Sequence, residues 1–213
     1  VPWNVGEKLQ YEVLAMGMNA AKVEVEVLPM KMLNGEKVWH FVSQAKTHNF
    51  ASTLYYFNSK AESFLNEYLQ IKEYRSSAFE GDNKKNTVEK YNIKTNEYYL
   101  YKKVDDKIEI NKTKEQQYSS NVTDLVSVFY MIRLMKLNDE FLLLNNHKQK
   151  KLKISKIEPD VVKLNNREYS VDKITLQYES KIHIIYREKA VSKKVIKAVL
   201  DLKFASGTIN LVE

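Results

Sequence analysis

Lys22-Val23-Glu24-Val25-Glu26-Val27 alternates charged and β-branched residues without a break, and its reading decides the fold. A period of two sends the three valines to one face and the three charges to the other, the pattern of a half-buried strand. A helical period would scatter the valines around the axis. Upstream, Leu9, Tyr11 and Val13 share one face against Gln10, Glu12 and Leu14, with Gly17 marking a turn between the two strands. Downstream, Asn34-Gly35 supplies residues that tolerate positive φ at a hairpin turn and leads to a third strand around Val38 to Ala45. The chain is therefore expected to open as a three-stranded antiparallel meander.

Shorter runs of the same kind follow near Leu54–Phe57, Ala61–Leu65, Leu69–Tyr74, Val88–Ile93, Tyr98–Val104 and Ile108–Ile110, with turns at Gly81-Asp82-Asn83 and Asp105-Asp106. The stretch from about 121 to 137 breaks the habit. Leu125, Val128, Phe129, Ile132 and Met135 form one apolar helical stripe, Ser120 or Asn121 suits its start, and Lys136 and Asn138 suit its end. Strands resume near Phe141–Leu144, Lys150–Ile157, Val161–Leu164, Tyr169–Gln177, Ile182–Tyr186, Val195–Phe204 and Thr208–Val212. No linker, repeat or low-complexity tract divides them, so one domain over residues 1–213 is expected.

The 14 Tyr and 8 Phe against 5 Gly and 3 Pro fit a strand-rich chain, because aromatic side chains suit a pleated surface. More than about ten strands without crossover helices must curl or fold over. The expected fold is mainly all-β: one large curved antiparallel sheet forming an open or closed β-barrel-like fold, with one principal helix packed against its concave side.

A net charge of +7 invites a nucleic-acid or anionic-membrane reading. Its distribution argues otherwise. The cations are overwhelmingly Lys, with Arg only at Arg75, Arg133, Arg167 and Arg187, whereas base and phosphate recognition favours the Arg fork. The densest cluster, Lys148, Lys150, Lys151 and Lys153, alternates with Leu152 and Ile154, as a strand with one wet face would. Tyr98, Tyr99 and Tyr101 beside Lys102 and Lys103 fit strand alternation as well as single-strand binding. No nucleic-acid partner is expected. The absence of Cys removes disulfide, thiol and thiolate-metal chemistry, and no apolar run reaches the roughly 18 residues of a transmembrane helix. Val1 in first position fits a signal peptide removed on export or an artificial start, so a cytoplasmic location does not follow.

Gly6-Glu7-Lys8-Leu9-Gln10-Tyr11, followed by Gly17 and Ala20-Ala21, resembles the Gly-Glu-x-Leu-x-Tyr … Gly-x-x-Ala opening of an exported bacterial family, domain of unknown function 3108. Asp124-Leu125-Val126-Ser127-Val128-Phe129-Tyr130-Met131-Ile132-Arg133 is similar to that family's Asp-x-x-Ser-x-x-Tyr-x-x-Arg segment, and Gly207 before Ile209 and Leu211 to its final strand. The C-terminal part departs from the family pattern: Val199-Leu200-Asp201-Leu202 stands where an Asp-x-x-x-x-Pro segment is expected. The resemblance implies an antiparallel β architecture, a periplasmic or surface location, and no established activity. Gly6, Glu7, Leu9, Tyr11 and Gly17 carry it and are read as structural.

Asp124, Ser127, Tyr130 and Arg133 recur every three residues and would lie along one side of a helix. Facing a cavity, Arg133 would clamp a carboxylate or phosphate oriented by Tyr130 and Ser127. The structural alternative makes Asp124 a partner of the helix dipole, Ser127 a small packing residue and Arg133 the partner of a strand carboxylate. Glu7 after Gly6 reads as a turn with an edge charge. His40, His48, His147 and His183 are scattered without metal-ligand spacing, no Gly-x-Ser-x-Gly elbow or Gly-rich phosphate loop occurs, and Asp105-Asp106 reads as a solvated turn. No metal, cofactor or catalytic residue is expected.

Three readings of function follow. A non-enzymatic module enclosing a hydrophobic or lipid-like ligand leads, because small-molecule pockets are mostly apolar and often lie in barrel mouths. At fold level it is similar to periplasmic lipoprotein carriers built on an unclosed barrel capped by helices. An envelope protein docking an acidic partner through a sheet edge or Lys-rich face comes second, and an enzyme acting on an envelope glycan or lipid third.

Overall fold

The computed structural model describes residues 1–48, 52, 56–92, 97–105, 107–113, 122–145, 148–201 and 206–212. The first strands are β1 (Lys8–Ala15), β2 (Met18–Leu33), β3 (Glu36–Thr47), β4 (Phe57–Asn66) and β5 (Ile71–Glu80). They continue as β6 (Asn83–Asn92), β7 (Glu97–Val104), β8 (Lys107–Thr113) and the short β9 (Val122–Thr123). After the helical turn α1 (Val128–Met131) come β10 (Glu140–Asn145), β11 (Lys148–Leu164), β12 (Arg167–Tyr178), β13 (Lys181–Glu188), β14 (Val195–Asp201) and β15 (Ser206–Val212).

All fifteen strands belong to one sheet, ordered β8-β7-β6-β5-β4-β3-β2-β1-β15-β14-β13-β12-β11-β10-β9. Strands adjacent in sequence pair, except β8 and β9, which stand at opposite edges, and β1 also pairs with β15, so the first and last strands meet at the centre of the sheet. The sheet is curved and β-barrel-like, as expected, and it is not closed. One pairing departs from the antiparallel rule: β9 runs parallel to β10, with Val122 opposite Leu142. The intervening residues 124–139 cross over the concave face, and such a crossover is what lets two consecutive strands run parallel.

Alternation places the core. In β2, Val25 and Val27 are buried while Lys22 on the opposite face is exposed. Asn34 (φ 51°) and Gly35 (φ 81°) make the hairpin turn to β3 through two positive-φ residues. Pro29 falls between Leu28 and Lys31, where the β2–β3 register shifts, so its missing N–H breaks no regular ladder. The runs expected separately at Lys150–Ile157 and Val161–Leu164 are one strand. Pro159 sits inside β11, opposite Asp172, on a stretch whose other edge β10 does not reach.

The helix expected over about 121–137 shrinks to α1, flanked by turns. Val122 and Thr123 are strand, and the Asp124 carboxylate takes the N–H groups of Val126 (2.8 Å) and Ser127 (2.7 Å). Downstream, Arg133 N–H bonds to Tyr130 (3.0 Å) and Leu134 N–H to Met131 (2.9 Å), each three residues back rather than four. Lys136 N–H then goes to the Asp139 carboxylate at 2.7 Å. These local bonds compete with a continuous helix. Ser120 and Asn121, the expected start, lie outside the described residues. Residues 124–135 form a coiled roof over the sheet.

Beneath that roof the core has three parts. Trp3, Phe41 and Tyr130 pack near the centre, with Tyr130 stacked 4.4 Å from Phe41 and Trp3 edge-on to both at 5.6 Å. Ile132, Met135, Ile154, Ile174 and Ile185 fill the C-terminal side. On the N-terminal side, Val122 and Leu144 pack against Tyr91, Tyr98 and Leu100, so β9 and β10 close on the far limb through side chains.

Candidate functional site

The inward-facing residues of β10 to β15 are large and apolar, and cross-strand pairing sets them in rows. Ile185 stands opposite Ile174 and Ala198, and Ala198 opposite Ile209. Above them the roof presents Leu125, Val128, Phe129 and Ile132. These surfaces do not meet completely. An open cavity of about 260 Å³ remains, with Leu143, Leu152, Leu176, Ile185 and Ala198 among its walls. Among the described residues only Tyr178 and His183 bring polar side-chain atoms to its lining. His183 Nδ1 accepts the Asp201 N–H at 3.0 Å, which leaves the neutral ring's proton on Nε2, and burial holds its pKa below the usual histidine value. The cavity thus offers a largely hydrocarbon surface with the Tyr178 and His183 rings at its wall.

Buried ionic groups hold the roof over the cavity. Arg133 is 1% exposed and gives both terminal nitrogens to the Glu7 carboxylate, Nη1 to Oε1 at 2.5 Å and Nη2 to Oε2 at 3.0 Å. It also donates to the Ser192 carbonyl, from Nε at 2.9 Å, and to the Pro2 carbonyl. At the other end Asp124 accepts the Ser63 hydroxyl of β4 at 2.5 Å, and burial pushes its carboxyl up to about 6. Arg187 closes the end of the roof, donating Nη1 to the carbonyls of Ile132 (3.1 Å) and Met135 (2.6 Å) and Nη2 to Asp172 (2.9 Å).

The four roof residues singled out by sequence fall into two pairs. Asp124 and Ser127 bond reciprocally, Asp124 N–H to Ser127 Oγ at 3.0 Å and Ser127 N–H to Asp124 Oδ1. Tyr130 and Arg133 meet as a cation–π pair at 5.6 Å, with the Tyr130 hydroxyl buried and without a hydrogen-bond partner among the described residues. None of the four lines the apolar cavity. Glu7, one residue ahead of β1, joins the opening motif to the roof. Gly6 (φ 87°) makes the turn before it, Gly17 (φ 79°) turns β1 into β2, and Leu9 and Tyr11 are core.

Sequence reading missed the wall residues of β12 to β14 and the capping role of Arg187. The signal was present: the roof stripe and the strand alternation each point inward, and four of the five stripe residues line the cavity. The other candidates lie elsewhere. His40 pairs with Glu62 at 3.1 Å and stacks on Phe64 on the convex face, His48 is exposed, and His147 lies outside the described residues. Lys150 pairs with Glu179 at 3.0 Å and Lys151 with Glu140 at 2.9 Å; the Lys148 side chain lies outside the description. Tyr98 is buried, donating to Glu89 at 2.8 Å, while Tyr99 and Tyr101 are half-buried. Asp105 (φ 50°) is a turn residue whose carboxylate accepts the Lys84 N–H at 3.0 Å, and Asp106 is outside the description. Among the described residues no three His, Asp or Glu side chains could hold a metal ion. No helix among them is long and apolar enough to cross a membrane.

An unclosed, curved sheet with a short helical roof over an apolar cavity defines a β-barrel-like protein. The model of the family described as Protein of unknown function (DUF3108) matches residues 10–209, and the chain belongs to that family. It is the family that the Gly6–Tyr11 opening and the 124–133 segment resemble. Among solved structures, the chain is similar to a β-barrel-like protein of domain of unknown function DUF1849 from Brucella abortus. The TM-score is 0.55 at 8% identity, covering 98% of this chain and 96% of that one, which is a likeness of fold. A candidate lipoprotein from Parabacteroides distasonis aligns with a TM-score of 0.36 at 9% identity, over 98% of this chain and 94% of that one. No curated protein matches the chain.

Proposed function

We propose that this chain is an exported, one-domain, non-enzymatic binding module that holds an apolar, lipid-like ligand between its roof and the inner face of β10 to β15. The observation that carries the reading is the open cavity of about 260 Å³ walled almost wholly by aliphatic and aromatic carbon. Such a surface left open to water is unfavourable, and filling it with hydrocarbon recovers about 25 cal/mol for each Å² of apolar area removed from water. At just under the roughly 300–1,000 Å³ of drug-sized sites, the cavity suits one hydrocarbon chain. Asp124, Ser127, Tyr130 and Arg133 serve this reading as the residues that hold the roof. An envelope location rests on the resemblance to an exported bacterial family.

Native mass spectrometry of protein purified from a bacterial periplasm, set against its denatured mass, tests the proposal. A discrete excess mass that is lost on denaturation and recovered in organic extracts is expected. A clean apo mass, together with failure to take up an added long-chain alcohol, contradicts it.

A second reading, docking of an envelope protein along a sheet edge, draws on β8. Among the described residues β8 pairs only with β7, and Ile108 and Ile110 are exposed on it.

A further inference from the structure

The inner face of the other limb has a different chemistry. Across β3 to β6 the register sets Ser43, Ala61, Ser76 and Thr87 in one row, and Ala45, Ser59, Ala78 and Lys85 in the next. Apart from Lys85 these side chains are short, and a second open cavity of about 220 Å³ lies above them. Three observations give it a ligand chemistry. First, Thr87 is in its wall, 2% exposed, with its hydroxyl buried and without a hydrogen-bond partner among the described residues, a condition that native proteins rarely leave without a purpose. Second, acidic side chains outnumber basic ones in its wall, Glu80 and Glu89 against Lys85 among the described residues. Glu89, also 2% exposed, accepts the Tyr91 and Tyr98 hydroxyls at 2.8 Å each, and in the neighbouring row Asp124 accepts the Ser63 hydroxyl at 2.5 Å. Third, Lys85, the one Lys of the wall among the described residues, stands 3.8 Å from the carboxylate of Glu80, which lines the same wall.

Short hydroxyls and a carboxylate suit a neutral polyol, which both donates and accepts hydrogen bonds. An anion placed there would face a carboxylate in a partly desolvated space. Leu125, 42% exposed, lies in the wall of this cavity and of the apolar one alike. From this juxtaposition we infer that the ligand is an amphiphile with a hydroxylated, uncharged, sugar-like head group. The head sits on the Ser43–Thr87 row and the hydrocarbon chain passes Leu125 into the cavity of β10 to β15. This inference rests on the proposed binding of an apolar ligand and adds the head group to it.

Calorimetric titration of the full chain with octyl β-glucoside, 1-octanol and octyl phosphate, each below its micelle concentration, tests the inference. The glucoside is expected to bind more tightly than octanol, and octyl phosphate no more tightly than octanol. Thr87→Val should weaken the glucoside about three- to ten-fold, the worth of one hydrogen bond, and leave octanol unchanged. Thr87→Ser should restore it. Ser76→Ala, which removes a second hydroxyl from the same row, should act in the same sense and replaces Thr87→Val if that variant does not fold. Equal binding of glucoside and octanol, insensitive to both variants, overturns the head-group site while the apolar reading stands. Tightest binding of octyl phosphate overturns the head-group chemistry. Failure of all three to bind overturns the inference together with the proposed function.

Discussion

The limb from β10 to β15 and the limb from β3 to β6 belong to one sheet, share one alternation and lie under one roof, yet their inner faces are opposites. The first carries Leu152, Leu176, Ile185 and Val195, and the second carries Ser43, Ser59, Ser76 and Thr87. A period of two determines which side chains turn inward and says nothing of what they enclose; size and polarity at the inward positions decide that. Large aliphatic residues leave an apolar cavity of about 260 Å³, whereas short hydroxylated ones leave a polar one of about 220 Å³. Between the limbs, the roof is tied by Asp124 to β4 on one side and by Arg133 to Glu7 and Ser192 on the other.

If the partition depends on those ties, the largest effect belongs to Arg133. Arg133→Ala leaves the Glu7 carboxylate, 12% exposed, without its cation and removes the bonds to Pro2 and Ser192. A loss of about 3–5 kcal/mol in urea unfolding is expected, as for other broken buried pairs. A loss below about 1 kcal/mol would show that the roof does not need this tie.

The limbs themselves should differ under matched truncation. Ile174→Ala, at a fully buried position of the apolar limb, should cost about 2–5 kcal/mol, and Ser76→Ala in the polar limb less than about 1 kcal/mol. Similar losses would erase the energetic contrast between them.

Asp124 gives a contrast in pH. Burial raises its carboxyl from 3.8 to about 6, so the folded chain holds this proton more tightly than the unfolded chain does. Its contribution is full below about pH 4, falls as pH rises to about 6, and is level above, a change of about 3 kcal/mol. His40 and His183 act in the opposite sense, because burial lowers their pKa and stability falls as acid protonates them. The measurement is therefore a difference: wild type minus Asp124→Asn, by unfolding at pH 4 and pH 7. Identical pH profiles for the two proteins would contradict the assignment.

What the sequence made legible follows from the range of its signals. Lys22–Val27 and Asn34-Gly35 are local, and the strands and turn they predict are in the structure. The apolar stripe Leu125, Val128, Phe129, Ile132 marked the surface turned to the apolar cavity, with Leu125 left exposed, though not the length of the helix. The bonds that interrupt the helix, from Asp124 to its own turn and three-residue spacings beyond, depend on detail that periodicity does not carry. The candidate site was hardest to see. Its walls come from six strands, β10 to β15, that pair in chain order, but the enclosure depends on the path of residues 124–139 back over their inner face, which periodicity does not give. The Glu7 and Arg133 pair is 126 positions apart; Arg133 can be read as the partner of a strand carboxylate, but Glu7 reads as an edge charge and nothing local joins the two.

The central claim is that the β10 to β15 limb holds an open hydrocarbon site rather than a filled core. Titration with N-phenyl-1-naphthylamine, a neutral apolar fluorophore, in wild type, Ala198→Trp and Ala61→Trp tests it most directly. Ala198 lies in the wall of the apolar cavity and Ala61 in that of the polar one, so each Trp fills one site. The account predicts saturable fluorescence enhancement in wild type, loss in Ala198→Trp and retention in Ala61→Trp, with unchanged β-sheet circular dichroism in all three. Absence of saturable binding in wild type, or binding untouched by Ala198→Trp, would contradict it.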